Sequence, residues 1–356
     1  MLIESRNLKD ILLKETVLFY GIGNQFQDCL KLFEDKVEFM LFDKNKKGMF
    51  QGKYQIHLPE ELCQYYKKGT AIVITSIKNQ YEIAKDLVHK YHVSSDDLFS
   101  YTSQIYEDRI YQEDLIKKNK SKIERAYQLL EDEESRNYWK NAILMRLTRQ
   151  PLYLEPNPYS IVTGEYKDIL ELNKQDVIID CGAYVGDTAE MYMKRLDGDC
   201  CIYALEPFGE NYSLLQEKIE KNRWSNVSAY HCAVGGVNGK TMFHFEEEDF
   251  RMGITMENET GALTEEVEIH TLDELFGGVE KIDYIKMDIE GQETEALKGA
   301  AGILKNKAPK LMISGYHNLS DLWEIPCLIK EQNPMYKIYA GHAPGVSMEA
   351  EFYCKI

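Results

Sequence analysis

The residues best placed to do chemistry form two acidic steps at the ends of apolar runs. Asp180 closes the run from Val177 and opens into Cys-Gly-Ala-Tyr-Val-Gly186, followed by Asp187 and Thr188. Glu206 closes a second apolar run 26 positions after Asp180 and is followed by Pro207 and Phe208. In an open α/β sheet, glycines at such a turn let a ligand approach the backbone. A carboxylate about 20 residues later accepts hydrogen bonds from ribose hydroxyls. Backbone N–H groups opening the helix after Gly186 suit a carboxylate, and the Thr188 hydroxyl adds a donor. With two glycines and not three, the turn does not meet the dinucleotide pattern G-x-G-x-x-G. The pairing still predicts a nucleotide-type cofactor at the carboxyl ends of the first two strands. Phe208 reads either as a face for adenine or as a core aromatic.

A second constellation lies downstream, in Tyr284-Ile-Lys-Met-Asp288-Ile-Glu290-Gly291. Chemistry in open α/β sheets is done at strand carboxyl ends beside the crevice. Asp288 is therefore the leading catalytic candidate and Glu290 the next. Glu290 has an alternative role as a helix cap, with Glu293 and Glu295 complementing the positive end of the following helix. His317 follows the apolar run 311–314 and Gly-Tyr316, and imidazole is suited to taking a proton near neutral pH. Asp288 and Glu290 have no third ligand recognisable in the sequence, so no metal is assigned.

The elements that must position these groups alternate between period-2 and helical patterns, which favours parallel sheets. Residues 1–104 read as a small Rossmann-like α/β domain, with strands at 16–20, 37–43 and 71–75 and helices at 25–33 and 81–91. Residues 105–150 lack glycine and proline, are densely charged and form one or two connecting helices. Pro151, Pro156 and Pro158 mark the boundary of a larger domain, 151–356. Its strand candidates are 177–181, 201–205, 227–232, 282–287 and 310–314, with a closing pair at 336–340 and 350–353. Helices are expected at 188–195 and 211–221, and alternation within 240–275 predicts an inserted antiparallel pair.

The bulk numbers exclude several classes. Among 356 residues, 59 acids outweigh 42 bases for a net charge of −17, which argues against a phosphate-backbone partner or a polybasic membrane face. No apolar run reaches the roughly 20 residues of a membrane span. The segment 1–14 carries Glu4 and Asp10 and lacks the apolar core of a signal peptide, so a cytoplasmic location is expected. The eight cysteines show no Cys-x-x-Cys spacing and read as reduced.

Taken together, Asp-x-Gly-Ala-x-x-Gly at 180–186, Glu206-Pro207, Ala233-Val234, Thr271-Leu-Asp-Glu-Leu275, Lys286-x-Asp-x-Glu-Gly-x-Glu293 and Leu297-Lys-Gly-Ala300 resemble the signature set of FkbM-type methyltransferases. The resemblance spans roughly 153–356. It departs at Tyr184, where the family more often has asparagine. It implies a class I methyltransferase-like, mostly parallel sheet with an antiparallel last strand, and S-adenosylmethionine as cofactor. Asp180, Gly182, Ala183 and Gly186 would line the cofactor turn, and Thr188, next to Asp187, would help hold the methionine carboxylate. Glu206, beside Pro207 and Phe208, would bind the ribose. Ala233 and Val234, at the end of the third strand, would border the adenine, and Asp288 would sit near the reacting methyl. Members of the family act largely on hydroxyls of sugars and natural products, so the expected reaction is O-methylation of a small-molecule or saccharide acceptor. Asp288 or His317 would receive the proton. Homo-oligomerisation is left open.

A different class of function remains for the first domain. Gly21-x-Gly23 follows a strand and Asp43 ends the next, although Phe26 occupies the third glycine position. This segment resembles Rossmann-like modules beside enzymes of surface-polysaccharide assembly. The alternative function is therefore a non-catalytic protein that binds a nucleotide or nucleotide sugar, or acts as a scaffold.

Overall fold

The computed structural model describes residues 6, 8–34, 36–46, 48, 50–51, 54–76, 79–101, 112–155, 169–245, 263–342 and 349–356. They gather into two compact units. The first draws on the described residues within Met1–Lys120, Glu133–Glu165 and Gly341–Ala350. The second draws on those within Ser121–Asp132, Tyr166–Ala340 and Glu351–Ile356. The helical stretch expected over 105–150 is shared between the units. Its described part forms three helices, Glu113–Lys118, Lys120–Leu129 and Glu133–Thr148. The second of these ends where Leu130 bridges Ile338 and the Glu131 N–H donates to the Ile338 carbonyl.

Within the first unit, strands β1 (Thr16–Tyr20), β2 (Glu38–Phe42), β3 (Phe50–Gln51), β4 (Tyr54–His57), β5 (Ala71–Ile74) and β6 (Leu98–Ser100) form one sheet in the order β3-β4-β2-β1-β5-β6. All described pairings are parallel except β3 with β4. Both faces of β1 are covered: Val17 and Phe19 pack with Phe26, Phe33 and Leu41, while Leu18 packs with Phe42, Leu62 and Ile72. Burial on both faces explains the unbroken apolar run of β1. Strands β3, β4 and β6 are too short to leave a periodic signal in the sequence.

The second unit holds β7 (Val177–Cys181), β8 (Cys201–Leu205), β9 (Val227–Tyr230), β10 (Ala233–Val234), β11 (Gly239–Phe245), β12 (Leu263–His270), β13 (Tyr284–Met287), β14 (Lys310–Ser314), β15 (Lys337–His342) and β16 (Ala350–Lys355). Its main sheet runs β15-β16-β14-β13-β7-β8-β9, parallel through the centre, with β16 antiparallel to β14. Strand β7 lies between β8 and β13, so the strand order reverses there. Such a switch point leaves a crevice at the carboxyl ends of the strands. The fold class read from the sequence is the one observed.

The inserted antiparallel pair is also present, as β11 and β12. One placement needs correcting. Ala233 and Val234 do not end the third strand: β9 stops at Tyr230, and these two residues form β10, which pairs with β12 in a separate three-stranded sheet. The apolar run is interrupted at His231, which stacks on Tyr212 and faces the Pro207 carbonyl.

The Thr271–Leu275 motif has a structural purpose. The Thr271 hydroxyl accepts from the Glu274 N–H and caps the helix Leu272–Phe276. Asp273 reaches across to accept from the Gly302 and Ile303 N–H groups at 2.7 and 2.8 Å, at the start of the helix Ala301–Asn306. A carboxylate on two backbone donors at a helix start makes charge-assisted bonds. Asp273→Ala should therefore lower stability by about 1–3 kcal/mol, with Asp273→Asn losing less; urea denaturation of the three proteins measures this.

Candidate functional site

The bend after β7 is shaped by close backbone approach. Gly182 has φ +77°, and a Cβ there would lie 1.9 Å from the Asp288 carbonyl oxygen. Only glycine lets the ends of β7 and β13 come this close. The Gly182 and Ala183 N–H groups both donate to the Leu205 carbonyl at 3.0 Å, and the Asp288 N–H donates to the Cys181 carbonyl. Tyr184 takes φ +50°, a left-handed conformation that asparagine tolerates better than tyrosine. The turn survives this departure from the family pattern at a local strain. Gly186, at φ +76°, starts the helix Asp187–Arg195, in whose first turn Thr188 lies.

Glu206 points back into this bend. It is 3% exposed, and its two oxygens accept from the Tyr184 and Phe208 N–H groups at 2.8 and 3.0 Å. Burial raises its pKa, opposed by these backbone bonds and by Asn211 and Lys286. Phe208 is buried with Ala233 and Val267 and so belongs to a small core cluster. Ala233 and Val234 line a shallow groove with Thr241, Ile269, Gln292 and Glu295.

Beneath the bend sits a charge pair. Lys286 Nζ lies 3.2 Å from Asp180 Oδ1 and donates to the Gly182 carbonyl at 2.8 Å. Asp180 is fully buried. Burial alone would lower the Lys286 pKa, but Asp180 and Asp288 raise it, so the ammonium is retained. Lys286 was part of the sequence motif without an assigned role; its partner across the sheet is visible only in three dimensions.

The β13 and β14 ends meet at His317. The ring is 2% exposed, with Nδ1 3.0 Å from Glu293 Oε1 and Nε2 3.6 Å from Asp288 Oδ1 and 3.4 Å from Glu290 Oε2. The structure thus brings Asp288, Glu290 and His317 together. Glu293 lies in the first turn of the helix Glu293–Lys298, as expected of an acid complementing that end, and it is also wholly buried under the imidazole and accepts from the Ile289 N–H at 2.9 Å. Gln292, not Glu290, occupies the N-cap position of the helix Glu293–Lys298. Glu290 takes φ +56°, a strained left-handed conformation for a non-glycine residue, and Gly291 continues the turn at φ +96°. Tyr316, to which the sequence assigns no role, donates its hydroxyl to Asp288 Oδ1 at 3.1 Å.

Charge in this cluster is apportioned clearly. Burial would lower the His317 pKa, but Glu293, Asp288 and Glu290 outweigh it and raise it to about 9. Burial would raise Asp288, but Lys286, His317, Ser314 and Tyr316 hold it below the ordinary carboxylate range. At neutral pH the pair is an imidazolium beside an ionised aspartate. Asp321, at the start of the helix Asp321–Gln332, is raised to about 7 by burial and by Glu293.

Comparison with known proteins follows this geometry. Residues 180–332 match the sequence model of the Methyltransferase FkbM domain. This stretch is thus similar in sequence to FkbM-type methyltransferase domains. The chain is 29% identical over 171 residues to Methyltransferase sdnD of Sordaria araneosa, across 39% of this chain and 66% of that protein. It is 26% identical over 153 residues to Methyltransferase 1 of Beauveria bassiana, across 37% of this chain and 61% of that protein. The chain thus spans less than two thirds of the length of these curated relatives. Its fold is similar to the crystal structure of Methyltransferase FkbM from Methylobacillus flagellatus KT, with a TM-score of 0.71 and 18% identity over 99% of this chain and 94% of that one.

The His317 shift has a sign that can be measured. Its folded pKa lies above the unfolded value of 6.5, so the stabilisation is fully present below pH 6.5 and is lost as pH rises through about 9. In metal-free buffer the unfolding free energy should fall by about 3 kcal/mol across that window, and His317→Ala should lack this component of the slope.

Proposed function

We propose that the FkbM-type domain transfers a methyl group from S-adenosylmethionine to a hydroxyl of a saccharide or related metabolite. The observation that carries this reading is the buried Glu206 carboxylate held against the bend through the Tyr184 N–H at 2.8 Å. Each Glu206 oxygen takes one backbone donor and Asn211 adds a side-chain donor, which leaves acceptor capacity on the carboxylate that suits a ribose hydroxyl. The glycine at 182 lets the bend pack directly on the Asp288 backbone, which sets the bend beside the loop that carries Asp288. Asp180, Ala183 and Gly186 shape that bend, and the helix opened by Asp187 and Thr188 offers its first N–H groups to a carboxylate. The site residues fit the donor. Pro207 orients the chain after Glu206, while Phe208 contributes packing to the groove wall beside Ala233 and Val234.

When bound, the donor supplies an electrophilic methyl carbon on a sulfonium, so the protein's task is alignment and proton removal. Asp288, ionised and with its side chain 37% exposed, is the group that receives the hydroxyl proton as the oxygen–carbon bond forms. His317 already holds a proton at neutral pH and is buried, which makes it the electrostatic partner of Asp288, not a base. Glu290 shares that imidazolium. The hydroxyl and saccharide assignment draws on the resemblance of the motif set to enzymes with such acceptors, and the strongly acidic chain suits a small-molecule acceptor better than nucleic acid.

Calorimetry with S-adenosylhomocysteine should show one site, weakened at least about tenfold by Glu206→Ala because hydrogen bonding to the ribose is lost. Asp288→Asn should lower kcat by about 10²–10⁴-fold while leaving that affinity within a few-fold. Failure of the intact protein to bind either the donor or its demethylated product would end this reading.

One contact favours a second reading for the first unit. The Ile22 N–H donates to Asp43 Oδ2 at 2.9 Å, placing an acid from the end of β2 against the Gly21 turn. We infer a nucleotide or nucleotide-sugar site there, which a scaffold function would use without catalysis. Asp43→Ala should abolish nucleotide binding measured by calorimetry on the full chain, and unchanged binding would exclude the site.

A further inference from the structure

We propose that Asp288, Glu290 and the Nε2 atom of His317 hold a divalent metal cation, with Glu293 orienting the imidazole from its other side. The sequence offered two carboxylates and no third ligand. The fold supplies the third by carrying His317 from the end of β14 to the loop after β13. Among the described residues, ligand atoms of Asp288, Glu293 and His317 lie within 4.8 Å of one another. Glu290 Oε2 adds a fourth at 3.4 Å from Nε2.

The buried ring provides the independent observation. The His317 side chain is 2% exposed, yet its Nε2 has no aligned hydrogen bond among the described residues. Glu293 Oε2 is buried and similarly unsatisfied. Groups that only neutralised one another would close to hydrogen-bond geometry, because orphaned buried polar atoms are costly. Instead, Nε2 stands 3.6 Å from Asp288 and 3.4 Å from Glu290. Two donors that far apart subtend roughly 110–120° at a common cation about 2.1 Å from each, which is close to tetrahedral and within reach of a first-row divalent ion. On the far side, Glu293 Oε1 lies 3.0 Å from Nδ1. A carboxylate behind a ligating histidine fixes which nitrogen faces the metal and is the usual partner of such ligands.

The donor set of two carboxylates and one imidazole suits a borderline first-row ion such as Mn²⁺ or Zn²⁺. Both carboxylate side chains are 37% exposed, which leaves coordination positions open towards solvent. Asp288 also borders the cofactor bend through its backbone contact with Gly182. On the proposed methyl-transfer reading, on which this role rests, an open position would take an acceptor oxygen and order the hydroxyl beside Asp288. Without metal, the proton on His317 occupies the same electrostatic niche.

Mn²⁺ titration of the full chain, followed by electron paramagnetic resonance and calorimetry, tests the site. One Mn²⁺ should bind, with nitrogen hyperfine coupling from a single imidazole. Glu290→Gln and His317→Gln should each weaken binding at least tenfold, and His317→Gln should remove the nitrogen coupling. Glu293→Gln, acting through the ring, should weaken Mn²⁺ while retaining that coupling. Circular dichroism melts identify any variant that fails to fold, and the nitrogen coupling of the wild-type protein decides the matter without variants. Absence of Mn²⁺ binding at millimolar concentration, or binding without nitrogen coupling, overturns the proposal. Binding of S-adenosylhomocysteine in the same samples separates the two failures: product binding without Mn²⁺ sinks only the cation site, and Mn²⁺ binding without product sinks only the methyl-transfer reading.

Discussion

The close crossing of the β7 and β13 ends is the constraint from which the second unit's site follows. Gly182 must be glycine because the Asp288 backbone occupies the space of its side chain. Lys286 locks that crossing from below, donating to the Gly182 carbonyl while paired with the buried Asp180. A buried lysine between two strands is costly unless both its charge and its protons are satisfied, and here Asp180 meets the charge while the Gly182 carbonyl accepts a proton. The consequence is positional: the bend after β7 and the acidic loop after β13 are fixed relative to one another by backbone contact.

Electrostatics around the loop after β13 form the second layer. Lys286 and His317 are cations set among Asp180, Asp288, Glu290 and Glu293. The cations hold Asp288 ionised where burial would favour its neutral form. The carboxylates, in turn, keep the imidazole protonated. The acidic excess at this loop is therefore a demand for positive charge, which a proton or a metal can meet. The left-handed backbone at Glu290 shows the chain bent where that charge is brought together.

The two units repeat one local device. In each, the acid at the end of a second strand accepts from a backbone N–H of the turn that follows the first: Asp43 from Ile22, and Glu206 from Tyr184. Parallel neighbours force this arrangement, since adjacent strands of equal direction end side by side. It was legible in advance because the spacing between turn and acid is set by one intervening helix. What separates the units is the second acidic loop, for which the first unit has no counterpart in its sequence.

Linear patterns were sufficient wherever the physics is local. Apolar runs buried on both faces marked β1, β7, β8 and β14 to the residue, and glycine at left-handed turns marked the bend at 182–186. Short strands such as β3 and β6 escaped, because two or three residues carry no period. Ala233 and Val234 were misplaced because continuity of an apolar run does not reveal that the chain changes sheets at His231. Asp288, Glu290 and His317 could be named singly from their positions at strand ends. Their convergence, the burial of Glu293 beneath the ring and the pairing of Lys286 with Asp180 depended on how β7, β13 and β14 lie side by side. Protonation states and ligand sets arise from distances between residues remote in sequence, and only the packed sheet determines those distances.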